Sequence, residues 1–208
     1  MPVREFSWSR RQRHWPGWWW SATWDCHVGY ESWLERDHAM LLDRDPTVAG
    51  FSSQPFWLHW PDEVGGCRHA PDFFARLDDG TGVVIDVRPD DRIDPADAAA
   101  FAATARACAM VGWEFGRVGV PEPVRVANVR WLSRYRHRRY GGRPEVVARL
   151  LDACARPVGL FDAAAAVGDR LAVLPVLYHL MWRHVVVADL GREPLHPATV
   201  VGRGGGFR

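Results

Sequence analysis

The sequence predicts an α/β fold, in which helices pack on a β-sheet, followed by a smaller and mostly helical second domain. Three observations lead to this prediction. A strand-period hairpin runs from His69 to Arg88, helix-period segments stand before and after it, and helical patterns dominate the chain from Pro144 onward. The 208 residues are enough for one domain and a small second one.

Composition narrows the classes of function. The chain is 48% hydrophobic and 25% charged, as in globular proteins, and its net charge is +1. Any contact with a polyanion must therefore come from local patches, and all 26 basic residues that could form them are arginines. No apolar run is long enough for a membrane span and the N-terminus lacks a signal-peptide pattern, so we expect a cytoplasmic protein without membrane contact.

The cysteines argue against a zinc site. Four are present, they are widely spaced, and none forms a C-x-x-C pair. Cys67 and His69 are close together, but no second ligand pair has the spacing of a zinc site. Reduced thiols are the expected state in a cytoplasmic protein.

The central hairpin brings charged residues to the ends of apolar strands. Asp72 opens the first strand, the turn spans Asp78 to Gly82, and Asp86 and Arg88 share one face at the end of the second strand. Burying unpaired charge is costly, so these charges need partners. A divalent cation such as Mg²⁺ or Mn²⁺, which prefers carboxylate oxygens, is one explanation. A surface hairpin with an Asp–Arg ion pair is the other.

Residues before the hairpin predict two further features. The segment Met1 to Thr23 is basic and aromatic; we expect its tryptophans to pack as a strand, and leave DNA contact by its arginines open. Tyr30 to Leu42 has the apolar spacing of a helix, with Glu31 and Glu35 one turn apart. These two carboxylates form either a solvated acidic face or a source of one more metal ligand.

Alternating strand and helix patterns continue around the hairpin. Val48 to Trp60 predicts a strand interrupted at Gln54-Pro55. The remaining predicted elements of this domain are a helix from Pro95 to Val111 that Asp94 caps, a strand from Trp113 to Val118, and a helix from Val124 to Arg139.

A basic cluster follows at the end of that last helix. Its arginines are a candidate phosphate-binding track, or else a solvated helix end: Arg134, Arg136, Arg138, Arg139 and Arg143. Gly141-Gly142 within the cluster marks the expected boundary between a first domain, residues 1–142, and a second, residues 143–208.

The second domain has the element order of a winged helix-turn-helix. The predicted elements are helices Glu145 to Cys154, Phe161 to Val167 and Arg170 to Trp182, then strands His184 to Ala188 and Ala198 to Gly202. The third helix carries basic residues only at its ends, Arg170 and Arg183, which argues against direct base readout. The tail from Arg203 to Arg208 is expected to be disordered.

The ordered residues resemble a known family, the TnsA-like endonuclease subunit of heteromeric transposases, which is part of the PD-(D/E)xK nuclease superfamily. The matching stretches cover roughly Gly17 to Arg139: Glu31-Ser32-Trp33-Leu34-Glu35, Asp45-Pro46-x-Val48, Ser53-Gln54-Pro55, His69-x-Pro71-Asp72-Phe73 and Ile85-Asp86-Val87-Arg88. Pro-Asp with Asp-x-Arg alone is a weak signal, whereas the ordered series is much more specific.

The resemblance implies a restriction-endonuclease-like mixed sheet flanked by helices, and a Mg²⁺- or Mn²⁺-dependent enzyme that cuts one DNA strand at a transposon end. Carried over by position, Glu35, Asp72 and Asp86 would be the metal ligands, with Glu31 as the alternative to Glu35. Double-stranded DNA and an integrase-like transposase subunit would be the partners.

Arg88 departs from this family, which usually has a catalytic lysine there. Lysine can lose a proton and arginine stays charged, so Arg88 can stabilise charge on a phosphate but cannot act as a base. Two alternatives therefore stay open beside the endonuclease: an inactive nuclease-fold protein that binds DNA or a transposase, and a transcriptional regulator built on the C-terminal domain.

Overall fold

The computed structural model describes residues 2–3, 15–61 and 66–205, and the chain divides into two compact units, Met1–Pro121 and Glu122–Arg208. The arginines of the N-terminal segment between residues 4 and 14 lie outside the described residues, and so do residues 206–208. Among the helices that are described, none combines the length and the apolar character needed to cross a membrane.

The first unit contains the predicted helices and strands, together with two short strands that the sequence did not predict, Cys26–Tyr30 and Cys67–His69. In chain order its elements are β1 (Gly17–Ser21), β2 (Cys26–Tyr30), α1 (Trp33–Arg44), β3 (Val48–Ser53), β4 (Leu58–Trp60), β5 (Cys67–His69), β6 (Phe73–Leu77), β7 (Gly82–Val87), α2 (Pro95–Met110) and β8 (Glu114–Val118).

The main sheet of this unit is mixed and has the strand order β3-β6-β7-β8. Strand β6 pairs antiparallel with β3 and with β7, whereas β8 returns parallel to β7 after the crossover through α2. Helix α1 contacts β3 and helix α2 contacts β8, so helices flank the sheet. The predicted α/β class and the central hairpin are therefore confirmed.

The core of the first unit lies between α1 and the sheet. The buried residues that form it are Val28, Ala39, Val48, Phe51, Phe73, Ala75 and Ile85. Pairs β1–β2 and β4–β5 form separate two-stranded sheets. The expected interruption at Gln54-Pro55 is observed, and the strand that follows it leaves the main sheet and pairs with β5.

Asp43 holds the β1–β2 hairpin against α1. Its buried carboxylate accepts hydrogen bonds from the indole of Trp19 at 3.0 Å and from the hydroxyl of Ser21 at 2.8 Å. The backbone N–H groups of Ala22 and Thr23 donate to the same carboxylate, each at 3.0 Å. Strand β1 contains the tryptophans that were predicted to form a strand. Hydrogen bonds to Asp43 therefore attach this strand to α1.

The second unit carries one strand that the sequence did not predict. Its elements are α3 (Pro123–Leu132), α4 (Pro144–Ala153), β9 (Val158–Gly159), α5 (Leu160–Val167), α6 (Arg170–Trp182), β10 (Val186–Val187) and β11 (Val200–Arg203). Strand β11 pairs antiparallel with both β10 and β9. Strand β9 has only two residues, which is too short to show an alternating pattern.

The predicted end of the helix that leads into the basic cluster is wrong. Helix α3 ends at Leu132, where the prediction ran to Arg139, and short 3-10 turns follow at Ser133–Tyr135 and Arg138–Tyr140. The Arg136 side chain donates to the carbonyl of Ser133 at 2.7 Å and so competes for a carbonyl that a continuing helix would use. The units divide at Pro121, earlier than Gly141-Gly142, because α3 contacts α6 of the second unit.

Helix α6 is buried along its last two turns, from Val176 to Trp182. The elements that contact it include α3, α4, α5 and both 3-10 turns. The chain also stays ordered past Arg203, whose N–H donates to the carbonyl of Cys154 at 2.8 Å. The expectation that disorder begins at Arg203 is therefore wrong.

Candidate functional site

One cleft of the first unit contains every candidate catalytic residue. It has a volume of about 930 Å³ and its walls come from the start of α1, the approach to β6 and the end of β7. The predicted residues that line it are Glu31, Glu35, Asp72, Asp86 and Arg88. Three separate segments of the chain thus bring their carboxylates to one place.

Asp72 lies at the centre of these carboxylates. The N–H of Val87 on the neighbouring strand donates to its Oδ2 at 2.7 Å, and the N–H of Gln54 donates to its backbone carbonyl at 2.9 Å. Burial raises the pKa of Asp72 well above its usual range, and the nearby charges of Glu35, Asp86 and Glu31 raise it further. The carboxylates of Glu31, Glu35 and Asp86 therefore lie close enough to the buried Asp72 to influence its charge.

Glu35 has a structural role that accounts for the Ser-x-x-Glu pattern. The Ser32 hydroxyl is the N-cap of α1 and accepts the Glu35 N–H at 3.1 Å, while the Glu35 carboxylate accepts the Glu31 N–H at 2.8 Å. The Ser32 hydroxyl thus caps the helix, and the Glu35 carboxylate reaches back to the residue before the cap. Because α1 begins at Trp33, Glu31 precedes the helix, and the expectation that it shares a helical face with Glu35 is wrong.

Asp86 pairs with a histidine that sequence reasoning gave no catalytic role. Only 2% of Asp86 is exposed, and the Nε2 atom of His69 lies 2.9 and 3.0 Å from its two carboxylate oxygens. The His69 ring meets Phe101 of α2 edge to face. The available signal was His-x-Pro-Asp: His69 ends β5, three residues before Asp72, so the same turn carries both side chains into the cleft.

Arg88 points its guanidinium toward helix α2. Its Nη2 donates to Oδ1 of Asp97 at 2.6 Å, and Asp97 belongs to the capping box at the start of α2. The backbone of Arg88 is fixed on both sides, since its N–H donates to Val118 and its carbonyl accepts from Arg117, each at 2.9 Å. Sequence reasoning missed Asp97, which is distant from Arg88 along the chain.

The chemistry of this donor set suits a divalent cation, although its side chains are engaged with protein partners. Among the described residues, no group of three or more His, Cys, Asp or Glu side chains is arranged to hold a metal ion. Glu35 caps its helix and Asp86 holds His69. The carboxylate oxygens gathered around Asp72 are nevertheless the kind of ligand that Mg²⁺ or Mn²⁺ prefers.

Four of the five arginines expected to bind DNA are exposed on the second unit: Arg134, Arg138, Arg139 and Arg143. Two of these rest on aromatic rings, Arg134 at 4.8 Å from the ring centre of Trp131 and Arg139 at 4.9 Å from that of Tyr140. Arg136 is half-buried and bound to the Ser133 carbonyl, so it helps to shape the turn.

Comparison with known proteins assigns no family to this chain. No family model matches the sequence, and no curated protein matches it as a relative. A function for this protein is therefore inferred from the residues of the cleft and the chemistry that they support.

Proposed function

We propose that this protein is a metal-dependent DNA endonuclease, the subunit of a heteromeric transposase that cuts one strand at the transposon end. The observation that carries the proposal is the meeting of Glu35, Asp72 and Asp86 in one cleft, where neighbouring carboxylates and burial raise the pKa of Asp72. Placing carboxylates close together and burying one of them does not stabilise a fold. Strongly perturbed pKa values of this kind are concentrated at functional sites.

The chain order supports the proposal at the level of fold. Helix α1, strands β3, β6 and β7, helix α2 and strand β8 form a mixed sheet with flanking helices, which is compatible with a restriction-endonuclease-like core. In the second unit, β9 stands between α4 and α5 and pairs with β11, as the first strand of a winged helix would. Double-stranded DNA and an integrase-like transposase in the cytoplasm are the partners this proposal entails.

Asp72 and Asp86, with Glu35 or Glu31, would hold Mg²⁺ or Mn²⁺ in this cleft. When bound, the ion supplies an activated water and neutralises charge on the scissile phosphate. The N–H of Val87 orients Asp72, and His69 orients Asp86. Arg88 keeps its charge at any relevant pH, so its role is to stabilise negative charge on the phosphate in the transition state.

The test is cleavage of a duplex transposon end by Asp72→Asn in Mg²⁺, with the partner transposase present. Asparagine keeps the size of the side chain and loses the charge. We expect strand cutting to fall by about a thousandfold, because a metal contributes several kcal/mol to such reactions. Asp91→Asn, an exposed residue of the same cleft outside the carboxylate cluster, is the matched control and should cut normally. Normal cutting by Asp72→Asn would refute the site.

The second candidate is an inactive nuclease fold that binds DNA or a transposase. Two observations support it. Arg88, which stands where the family has a lysine, already forms an ion pair with Asp97. The carboxylates of Glu35 and Asp86 are likewise already bound, by Ser32 and His69. Calorimetric titration with Mn²⁺ separates the two candidates. The endonuclease should bind Mn²⁺ weakly and lose it in Asp86→Asn, whereas a pure binding module need not bind it.

A further inference from the structure

Two stacks of arginine on tryptophan lie at the rim of the carboxylate cleft. The guanidinium carbon of Arg36 lies 4.3 Å from the ring centre of Trp33, and that of Arg68 lies 4.7 Å from the ring centre of Trp57. Trp33, Trp57 and Arg68 all line the cleft. Neither the capping of α1 nor the carboxylate chemistry uses these side chains.

Each stack presents a flat surface to solvent. Trp33 is 52% exposed, and the guanidinium beneath it is held in place by Asp37, whose Oδ1 accepts from Arg36 at 2.8 Å. In the other stack Trp57 is the inner partner and the exposed Arg68 is the outer one. One stack therefore offers an indole and the other a guanidinium plane, and both planes can stack on nucleobases.

The stacks are attached to the segments that carry the candidate ligands. Trp33 is the first residue of α1, in the same turn as Glu35. Arg68 lies in β5 beside His69, which pairs with Asp86. A base that stacks on either surface would place its backbone close to the carboxylates.

We propose that the cleft binds an unpaired DNA strand, with bases stacked on Trp33 and on the Arg68–Trp57 stack. In a continuous duplex the bases are stacked on each other, so their faces are not available to side chains. An unpaired strand exposes those faces, and because every base has one, binding tolerates any sequence. This inference rests on the proposed endonuclease for its biological meaning, and it narrows the substrate to DNA that is frayed or single-stranded at the cut.

The experiment is fluorescence anisotropy with the full chain in EDTA, so that no cutting occurs. The probes are one labelled single strand and a blunt duplex of the same sequence, at the same salt concentration. We expect the single strand to bind more tightly. Trp33→Ala and Arg68→Gln should each weaken single-strand binding by about fivefold or more, the range found when a stacking side chain is removed, and should change duplex binding little.

Two variants keep this test decisive. Trp33→Phe retains a flat ring and should restore most of the binding, which a folding defect would not allow. Trp18→Ala removes a tryptophan of equal exposure, 52%, from strand β1 outside the cleft lining, and should have no effect. Equal affinity for the two probes, or equal effects of Trp18→Ala and Trp33→Ala, would overturn the inference.

The outcome also separates this inference from the proposed endonuclease. Tryptophan-dependent binding of single strands by a protein that cuts no DNA would uphold the stacking surfaces and defeat the endonuclease. If instead the protein cuts fully paired transposon ends, and Trp33→Ala leaves the rate unchanged, the endonuclease is upheld and the stacking surfaces are defeated.

Discussion

At the scale of single residues, the cleft contains a buried carboxyl group, that of Asp72, close to other carboxylates, an arrangement that does not stabilise the fold. Asp72 has three carboxylates as electrostatic neighbours, and its pKa is raised first by burial and then by those charges. Gln54, which binds the Asp72 backbone, has a positive φ of 43°, and its buried side-chain amide has no hydrogen-bond partner among the described residues. Strain of this kind persists where the surrounding structure enforces it, and it clusters at functional sites.

Asp72→Asn should stabilise the metal-free protein. A carboxyl group whose pKa is raised by folding favours the folded state when protonated, and that contribution is lost as the pH rises through the folded-state pKa. At pH 7 the asparagine variant should therefore gain about 0.5–2 kcal/mol, the range of typical stabilising changes. The gain should shrink as the pH falls toward the usual aspartate range. Thermal unfolding in EDTA across this pH range measures it, and a loss of stability at pH 7 would contradict it.

Asp97→Asn should raise the affinity of the cleft for DNA by releasing Arg88. The ion pair is partly exposed, so we expect up to about a fivefold effect. The effect should vanish in an Arg88→Gln background, which binding titrations arranged as a double-mutant cycle would measure. Asp94→Asn is the control, because Asp94 shares the capping box without contacting Arg88. An equal effect of Asp97→Asn with and without Arg88 would rule out release of Arg88 as its cause.

At the scale of elements, local capping places the candidate site as much as the sheet does. Ser32 and Glu35 cap the start of α1, and Asp97 in the capping box of α2 pairs with Arg88, which lines the cleft. The other end of α1 is anchored to the β1–β2 hairpin through Asp43. Helix α1 is therefore fixed at its start by its own cap and at its end by hydrogen bonds from the hairpin.

Asp43→Ala should destabilise the first unit by about 3 kcal/mol or more. The substitution leaves several buried or half-buried donors without an acceptor, and each unsatisfied donor costs about 1–3 kcal/mol. Urea denaturation followed by circular dichroism measures the loss. Asp43→Asn keeps one acceptor oxygen and should lose less, whereas equal losses for the two variants would point to the charge instead of the hydrogen bonds.

At the scale of the whole molecule, the second unit buries the last two turns of helix α6 and leaves its start exposed. Every residue from Val176 to Trp182 is buried, whereas Arg170, Leu171 and Ala172 are exposed. Of these three residues only Arg170 is basic. The exposed arginines of the cluster are therefore the candidate phosphate contacts that can be tested in this unit.

Arg134→Gln with Arg139→Gln should weaken duplex binding equally for unrelated sequences. Contacts with phosphates carry no sequence information, and each lost contact should reduce the slope of log affinity against log salt by about one. Arg170→Gln, an exposed arginine stacked on Phe161, is the matched control in the same unit. A salt slope that the double variant leaves unchanged would exclude the cluster as a phosphate track.

Much of the fold could be read from local patterns. The alternation in the hairpin predicted β6 and β7, and apolar spacing predicted α6 from Arg170 to Trp182 as the structure has it. The carboxylate of Asp94 marks the start of α2 in the sequence itself, whereas α1 begins after Ser32 and not at the predicted Tyr30. These features depend on neighbouring residues, so the sequence alone determined them.

Which side chain meets which was decided by the tertiary structure. The sequence named Asp86 and Arg88, but only folding pairs them with His69 and Asp97, and only folding buries α6 under α3. The two-residue strand β9 likewise exists because β11 offers it a partner. The physical reason is range: turns, caps and periodicity act within a few residues, whereas an ion pair or a buried face depends on segments that the chain brings together from far apart.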